Sequence, residues 1–211
     1  MRLSAVNKAK LDVMIQPTSD YLKPITFLVI DNKTYIRRML KNVLEVLGAK
    51  RIEEAKDGGD GLAAVKSIEP DIVLTGWRMK PVNGLDFLKS IRAQPTPLKF
   101  TPIIMVTSET RREKVIEARN AGVTEYIAMP ITAKGVFLRI REVIERPRPF
   151  VDIGGYFGPD RRRRAVAIET AEDERRGKGT PRPQAPAQDS DDALSQKEID
   201  RLVAGGDIAD N

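Results

Sequence analysis

From Ile25 onward the chain alternates between short apolar runs and longer stretches in which apolar positions recur every three or four residues. ITFLVID (25–31) reads as a buried strand. Residues 34–47 then place Ile36, Met39, Leu40, Val43, Leu44 and Leu47 on one helical face, and Gly48 ends the helix. Four further strand–helix pairs follow: RIEEA (51–55) with GLAAVKSI (61–68), DIVLT (71–75) with GLDFLKSIRA (84–93), PIIMVT (102–107) with REKVIEARNAG (112–122), and EYIA (125–128) with TAKGVFLRIREVIER (132–146). Repeated units of this kind imply a parallel sheet covered on both faces, because each right-handed crossover returns a helix over the sheet. The expectation is a flavodoxin-like, doubly wound α/β fold of five βα units. Its site belongs at the carboxyl ends of the first, third and fourth strands, at Asp31 and Asn32, Gly76, and Thr107 and Ser108.

That placement raises a difficulty in DIVLTGWRMK (71–80), where the residue emerging from the third strand is Gly76. A position that should carry chemistry carries no side chain. Composition narrows the choice further. The 211 residues contain no cysteine and no histidine, which excludes disulfides, thiolate chemistry and the usual general base and transition-metal ligand. No apolar run approaches the length needed to cross a bilayer, so a cytoplasmic protein without membrane insertion is expected.

The motifs FLVIDN, TYIRRMLKNVLEVLG, EEAKDGGDGL, PDIVLTGWRMKPVNGLDFLKSIR, PIIMVTSE and AGVTEYIAMPI, in that order, resemble the receiver domain of bacterial response regulators, in particular its CheY-like members. The resemblance implies a domain over 24–147 that takes a phosphoryl group on an aspartate after the third strand. It also implies two acids holding magnesium, and a threonine and a lysine that sense the phosphoryl group. Carried over residue by residue, Asp31 matches the first acid, while Asn32 stands for the second, Gly76 for the acceptor and Met129 for the lysine; Thr107 is retained. One carboxylate beside an amide is a poor magnesium site, and an acyl phosphate needs a carboxylate nucleophile. The chain therefore reads as a pseudo-receiver that is no enzyme and has no cofactor.

The resemblance pairs Thr107 with Tyr126 as the family's switch and makes the face of the fourth helix, fifth strand and fifth helix a docking surface. Here that face is basic, with Arg111, Arg112, Lys114 and Arg119 on the fourth helix and Lys134, Arg139 and Arg141 on the fifth. Charge is uneven along the chain: 25 basic and 17 acidic residues in 1–147, 9 and 6 in 148–183, and 2 and 7 in 184–211 give net +8, +3 and −5. The basic residues mostly alternate with acids at helical spacing, the pattern of a solvated face, which argues against nucleic-acid binding.

Beyond Pro147 the alternation stops. Residues 1–23 read as an N-terminal extension and 148–192 as an Arg- and Pro-rich flexible linker. Within the linker, Arg161, Arg162, Arg163 and Arg164 form an anion-binding candidate, which keeps open a sensor of cyclic dinucleotides; phosphorylation at a non-standard site is the other alternative. ALSQKEIDRLVAGGD (193–207) announces a short amphipathic helix, leaving 208–211 as a terminus. Ser195 and Glu198 form a capping box, Leu194 and Ile199 a hydrophobic staple, and Ile199, Leu202 and Val203 a narrow apolar stripe. Asp200 adds an acid beside that stripe. The segment resembles the N-terminal peptide of the flagellar switch protein FliM, which docks on CheY.

Two destinations follow. The helix binds its own receiver face, at an effective concentration of about millimolar order across the connection, or it binds a separate CheY-type receiver. Flagellar switch and histidine kinase components are the further partners implied.

Overall fold

The computed structural model describes residues 21–161 and 193–205. Five strands, β1 (Thr26–Ile30), β2 (Arg51–Ala55), β3 (Ile72–Thr75), β4 (Ile103–Thr107) and β5 (Glu125–Ala128), form one parallel sheet in the order β2-β1-β3-β4-β5. Five helices connect or follow them: α1 (Thr34–Val46), α2 (Gly58–Ile68), α3 (Gly84–Arg92), α4 (Arg112–Asn120) and α5 (Ala133–Glu145). The flavodoxin-like expectation holds, and strand bounds agree with the apolar runs to within a residue. Helix α2 starts three residues earlier than its apolar periodicity suggests, because Asp57 caps it by accepting from Gly59 N at 2.7 Å and Asp60 N at 3.2 Å.

Strand alternation sends side chains to two cores. Phe27, Val29, Leu74, Ile104 and Val106 pack against α1 and α5, while Leu28, Ile30, Val73, Ile103 and Met105 pack against α2, α3 and α4. The domain begins earlier than expected: Leu22, assigned to the N-terminal extension, is fully buried against the first of these clusters, and its carbonyl accepts from Ile25 N at 3.2 Å.

The linker assignment also needs correction at its start. Strands β6 (Phe150–Ile153) and β7 (Tyr156–Pro159) pair as an antiparallel hairpin. Its turn is Gly154-Gly155, both at positive φ, the left-handed backbone that a two-residue hairpin turn requires. Buried Arg92 fastens this hairpin to the domain. Its guanidinium donates to Gly122 O at 2.9 Å, Lys99 O at 2.7 Å and Thr101 O at 2.8 Å and lies 4.9 Å from the Phe150 ring centroid. Burial lowers its pKa to about 9, which leaves it charged at neutral pH. Phe100, Phe150 and Phe157 close an aromatic cluster around it, with ring centroids 5.4 to 5.5 Å apart. Phe150, Val151, Ile153, Tyr156 and Phe157 supply the apolar and aromatic side chains that fold this stretch.

The last element, α6 (Gln196–Val203), follows the expected capping box: Ser195 N donates to Glu198 Oε2 at 2.8 Å. It packs against α4 and along β5, and Ile199, Leu202 and Val203 are buried in the same core cluster as Val115, Ala118 and Tyr126. Among the described residues no helix is long and apolar enough to cross a membrane.

Candidate functional site

Two places carry the residues singled out from the sequence. The first is the pocket at the carboxyl end of the sheet, a small cavity of about 50 Å³ whose lining includes Asp31, Asn32, Trp77, Thr107, Ser108 and Met129. The strand ends bring Asp31, Thr107 and Met129 together as the topology demands, and Met129 N bonds to Thr107 O at 2.9 Å. Gly76 sits beside them at the end of β3. A side chain built there would run into Asp31, since its Cβ would fall well inside contact distance of Asp31 Oδ2. The Asp31 carboxylate thus occupies the space in which a residue-76 side chain would begin.

The surroundings of Asp31 are those of a lone buried acid. Its Oδ1 accepts from Lys33 N at 2.8 Å, and Arg37 Nη1 donates to its backbone carbonyl at 2.8 Å. Burial raises its pKa, offset in part by the Lys33 amide and the charges of Lys33 and Arg37. Asn32 is exposed, and Met129 is half-buried in the α1/α5 core cluster. The donor set for a hard dication is therefore one carboxylate, one amide and backbone carbonyls, with two cationic side chains close by. It does not fit magnesium, which needs several oxygens in octahedral array.

A folded-state pKa above that of the unfolded chain means the native state holds the Asp31 proton more tightly. That stabilisation is complete below the unfolded carboxylate range and is lost as pH rises through the folded value. Asp31→Asn keeps the Lys33 contact and removes the buried charge. It is expected to raise the melting temperature by about 2 °C at pH 8, an advantage that disappears below about pH 4. Thermal denaturation across that range checks it; a variant less stable at pH 8 would mean that the charge is compensated.

The second place is the outer face. Tyr126 is buried, its hydroxyl donates to the Glu109 carbonyl, and burial raises its pKa well above the ordinary phenol value. Helix α6 lies over it. Gln196 Nε2 donates to Tyr126 O at 2.8 Å, Ala128 N donates to Gln196 Oε1 at 2.7 Å, Asp200 pairs with Arg139, and Leu194 N donates to Thr110 O at 3.0 Å. Two arginines close the far end of the helix, Arg119 Nη1 to Leu202 O and Arg148 Nη1 to Val203 O, each at 3.1 Å. Cations at the terminal carbonyls suit the negative end of a helix dipole.

The expected basic face is thus used selectively. Arg119 and Arg139 meet α6, whereas Lys114 pairs with Glu117 at 2.7 Å and Arg111 with Glu109 at 3.6 Å, and Arg112 is exposed. Glu198 turns back to Ser195 as the capping box requires, and the Ser195 side-chain and backbone hydrogen bonds lower its pKa. Of the four arginines, Arg161 lies 3.8 Å from the Tyr156 ring centroid; Arg162, Arg163 and Arg164 lie outside the described residues.

Gln196, Glu125 and Arg148 went unremarked in the sequence. Glu125 could have been noticed as an acid at the head of a short apolar strand, where burial demands cationic partners; Arg139 and Arg148 approach it at 3.9 and 3.6 Å.

Residues 27–141 match the family model described as response regulator receiver domain. The chain is 40% identical over 124 residues to chemotaxis protein CheY-3 of Vibrio cholerae, covering 59% of this chain and 95% of that protein. It is 38% identical over 119 residues to chemotaxis protein CheY of Pseudomonas aeruginosa, covering 56% and 95%. Among solved structures, Vibrio cholerae CheY4 aligns at 30% identity with a TM-score of 0.53 over 57% of this chain and 98% of that one. A response regulator of Chloroflexus aurantiacus aligns at 26% identity with a TM-score of 0.55 over 59% and 100%.

Proposed function

The chain belongs to the response regulator receiver family, and on that footing we propose that it is a non-catalytic signalling adaptor. In this reading it is a pseudo-receiver of a chemotaxis or motility pathway that works by protein docking, without phosphorylation at the usual aspartate position. One observation carries the reading: α6 is seated on the chain's own α4-β5-α5 face, where it buries Ile199, Leu202 and Val203, and the resemblance of its sequence to the FliM peptide agrees with a docking role. The state of the pocket supports it. Gly76 offers no nucleophile, Asp31 fills the acceptor's space, and Met129 packs as an apolar side chain where a cation belongs. A receiver that needs no phosphoryl group to hold its face in one state can keep that face closed until a competing partner takes the place of α6, or takes α6 itself.

The chemotaxis assignment rests on the CheY relatives, and the partner class on the helix that occupies the face. Incubation of the full chain with acetyl phosphate and magnesium, followed by intact-mass and amide-exchange measurements, tests the proposal. The expected result is no phosphoryl adduct and unchanged protection of α6. An adduct together with release of α6 would make the protein an ordinary phosphorylated regulator.

A further inference from the structure

Strand β5 is an edge strand, and an edge presents backbone donors and acceptors that no neighbouring strand satisfies. Helix α6 cannot pair with it through its own backbone, which is committed to helical bonds. One side chain performs the pairing. Gln196 Nε2 donates to Tyr126 O at 2.8 Å and Gln196 Oε1 accepts from Ala128 N at 2.7 Å, so the carboxamide takes the place of one peptide unit of a missing sixth strand. Only a carboxamide offers a donor and an acceptor side by side; a carboxylate can only accept, and an alkyl chain does neither.

The arrangement continues without a break. The second Gln196 Nε2 hydrogen is given to Asp200 Oδ1 at 2.8 Å, one helical turn on, and Asp200 pairs with Arg139. Arg139 lies 3.9 Å from Glu125, the acid at the start of β5, and Arg148 lies 3.6 Å from the same carboxylate while bonding Val203 O at the end of α6. Each charge in this chain of contacts has an opposite one beside it, and the chain starts and ends on α6. The apolar stripe beneath has no such directionality, since burial of Ile199 and Leu202 would serve another register or another amphipathic helix nearly as well.

Resting on the docking reading above, we propose that Gln196 and Asp200 are the residues by which this face selects its helix. The partner the face fits is then an amphipathic helix with a carboxamide and a carboxylate four residues apart. Apolar residues three and six positions after the carboxamide complete the pattern, as Ile199 and Leu202 do here. A helix with the apolar stripe alone is a poor competitor for α6, and a partner carrying both features displaces it.

Amide exchange on the full chain tests the proposal, read at Ala128, whose N–H is held by Gln196, and at Leu202, which reports the seating of α6. Q196L removes all three carboxamide hydrogen bonds and is expected to raise exchange at both by about tenfold or more. Q196E is expected to raise it further, because it sets a carboxylate against Tyr126 O and Asp200. In parallel, a labelled peptide of residues 193–207 is titrated onto the full-chain Ile199→Asp variant, in which the face is vacated. The peptide carrying Q196L should bind more weakly than the native one by about tenfold or more, for the same three lost bonds. If Ile199→Asp exposes both amides while Q196L and Q196E exchange at the native rate, selection by Gln196 is overturned and the docking reading stands. If Ile199→Asp also changes nothing, both fall together.

Discussion

Ile199→Asp is expected to lift α6 off the receiver while leaving the five-stranded domain folded. Ile199 is fully buried among Val115, Ala118 and Tyr126, so the substitution forfeits the burial of a large aliphatic side chain and forces a carboxylate to be desolvated in its place. The combined cost, about 4 kcal/mol or more, exceeds what an eight-residue helix gains from docking a narrow stripe, because such a helix has almost no stability alone. The domain is expected to survive because the sheet and α1 to α5 supply all of one cluster and most of the other, and the receiver family model covers residues 27–141, which end before α6. The measurement is amide exchange, supported by the fluorescence of Trp77, the chain's one tryptophan, which sits beside α4 with Lys114 Nζ 5.5 Å from its ring. Loss of protection confined to α4, β5 and α6 is the expected result. Global unfolding would show that α6 is an integral part of the core.

Gly76→Asp is expected to destabilise the fold without creating a phosphoacceptor. The new side chain would enter space held by the Asp31 carboxylate and bring a second acid into a pocket with no dication to screen it. Steric displacement and like-charge repulsion together amount to about 2 kcal/mol, a fall of several degrees in melting temperature. Because the repulsion requires both groups ionised, the penalty should be largest above the carboxylate range and shrink in acid. In an Asp31→Asn background most of it should vanish, a coupling that a double-mutant cycle reads directly. Acetyl phosphate should still leave no adduct, since Asn32 and Met129 lack the metal-binding and cationic groups the reaction needs. A stable, phosphorylated Gly76→Asp protein would instead mean that the pocket is one substitution away from activity.

The pocket was largely legible because it rests on strand ends. Period-2 and period-3.6 patterns located β1, β3 and β4, and the parallel topology then required Asp31, Gly76 and Thr107 to converge. The position of the Asp31 side chain was not legible, because the space left by a glycine is filled by whichever neighbour finds it. The hairpin at 150–159 was missed for a different reason. Its signal, a Gly-Gly pair between VDI and YFG, lies among prolines and arginines that read as solvated chain, and its stability comes from Arg92 and Phe100, distant in sequence.

The sequence by itself determined that a helix exists at the end of the chain, because caps and staples are local: Ser195, Glu198, Leu194 and Ile199 specify it within six residues. It also determined that the residue emerging from the third strand is Gly76, which carries no side chain. Only the tertiary structure decided where the helix goes. Its seat is assembled from α4, an edge strand, α5 and the residue leading into the hairpin, and the pairing of Gln196 with the β5 backbone depends on which strand lies at the sheet's edge. Edge position is a property of strand order, and strand order is fixed by packing across the whole domain.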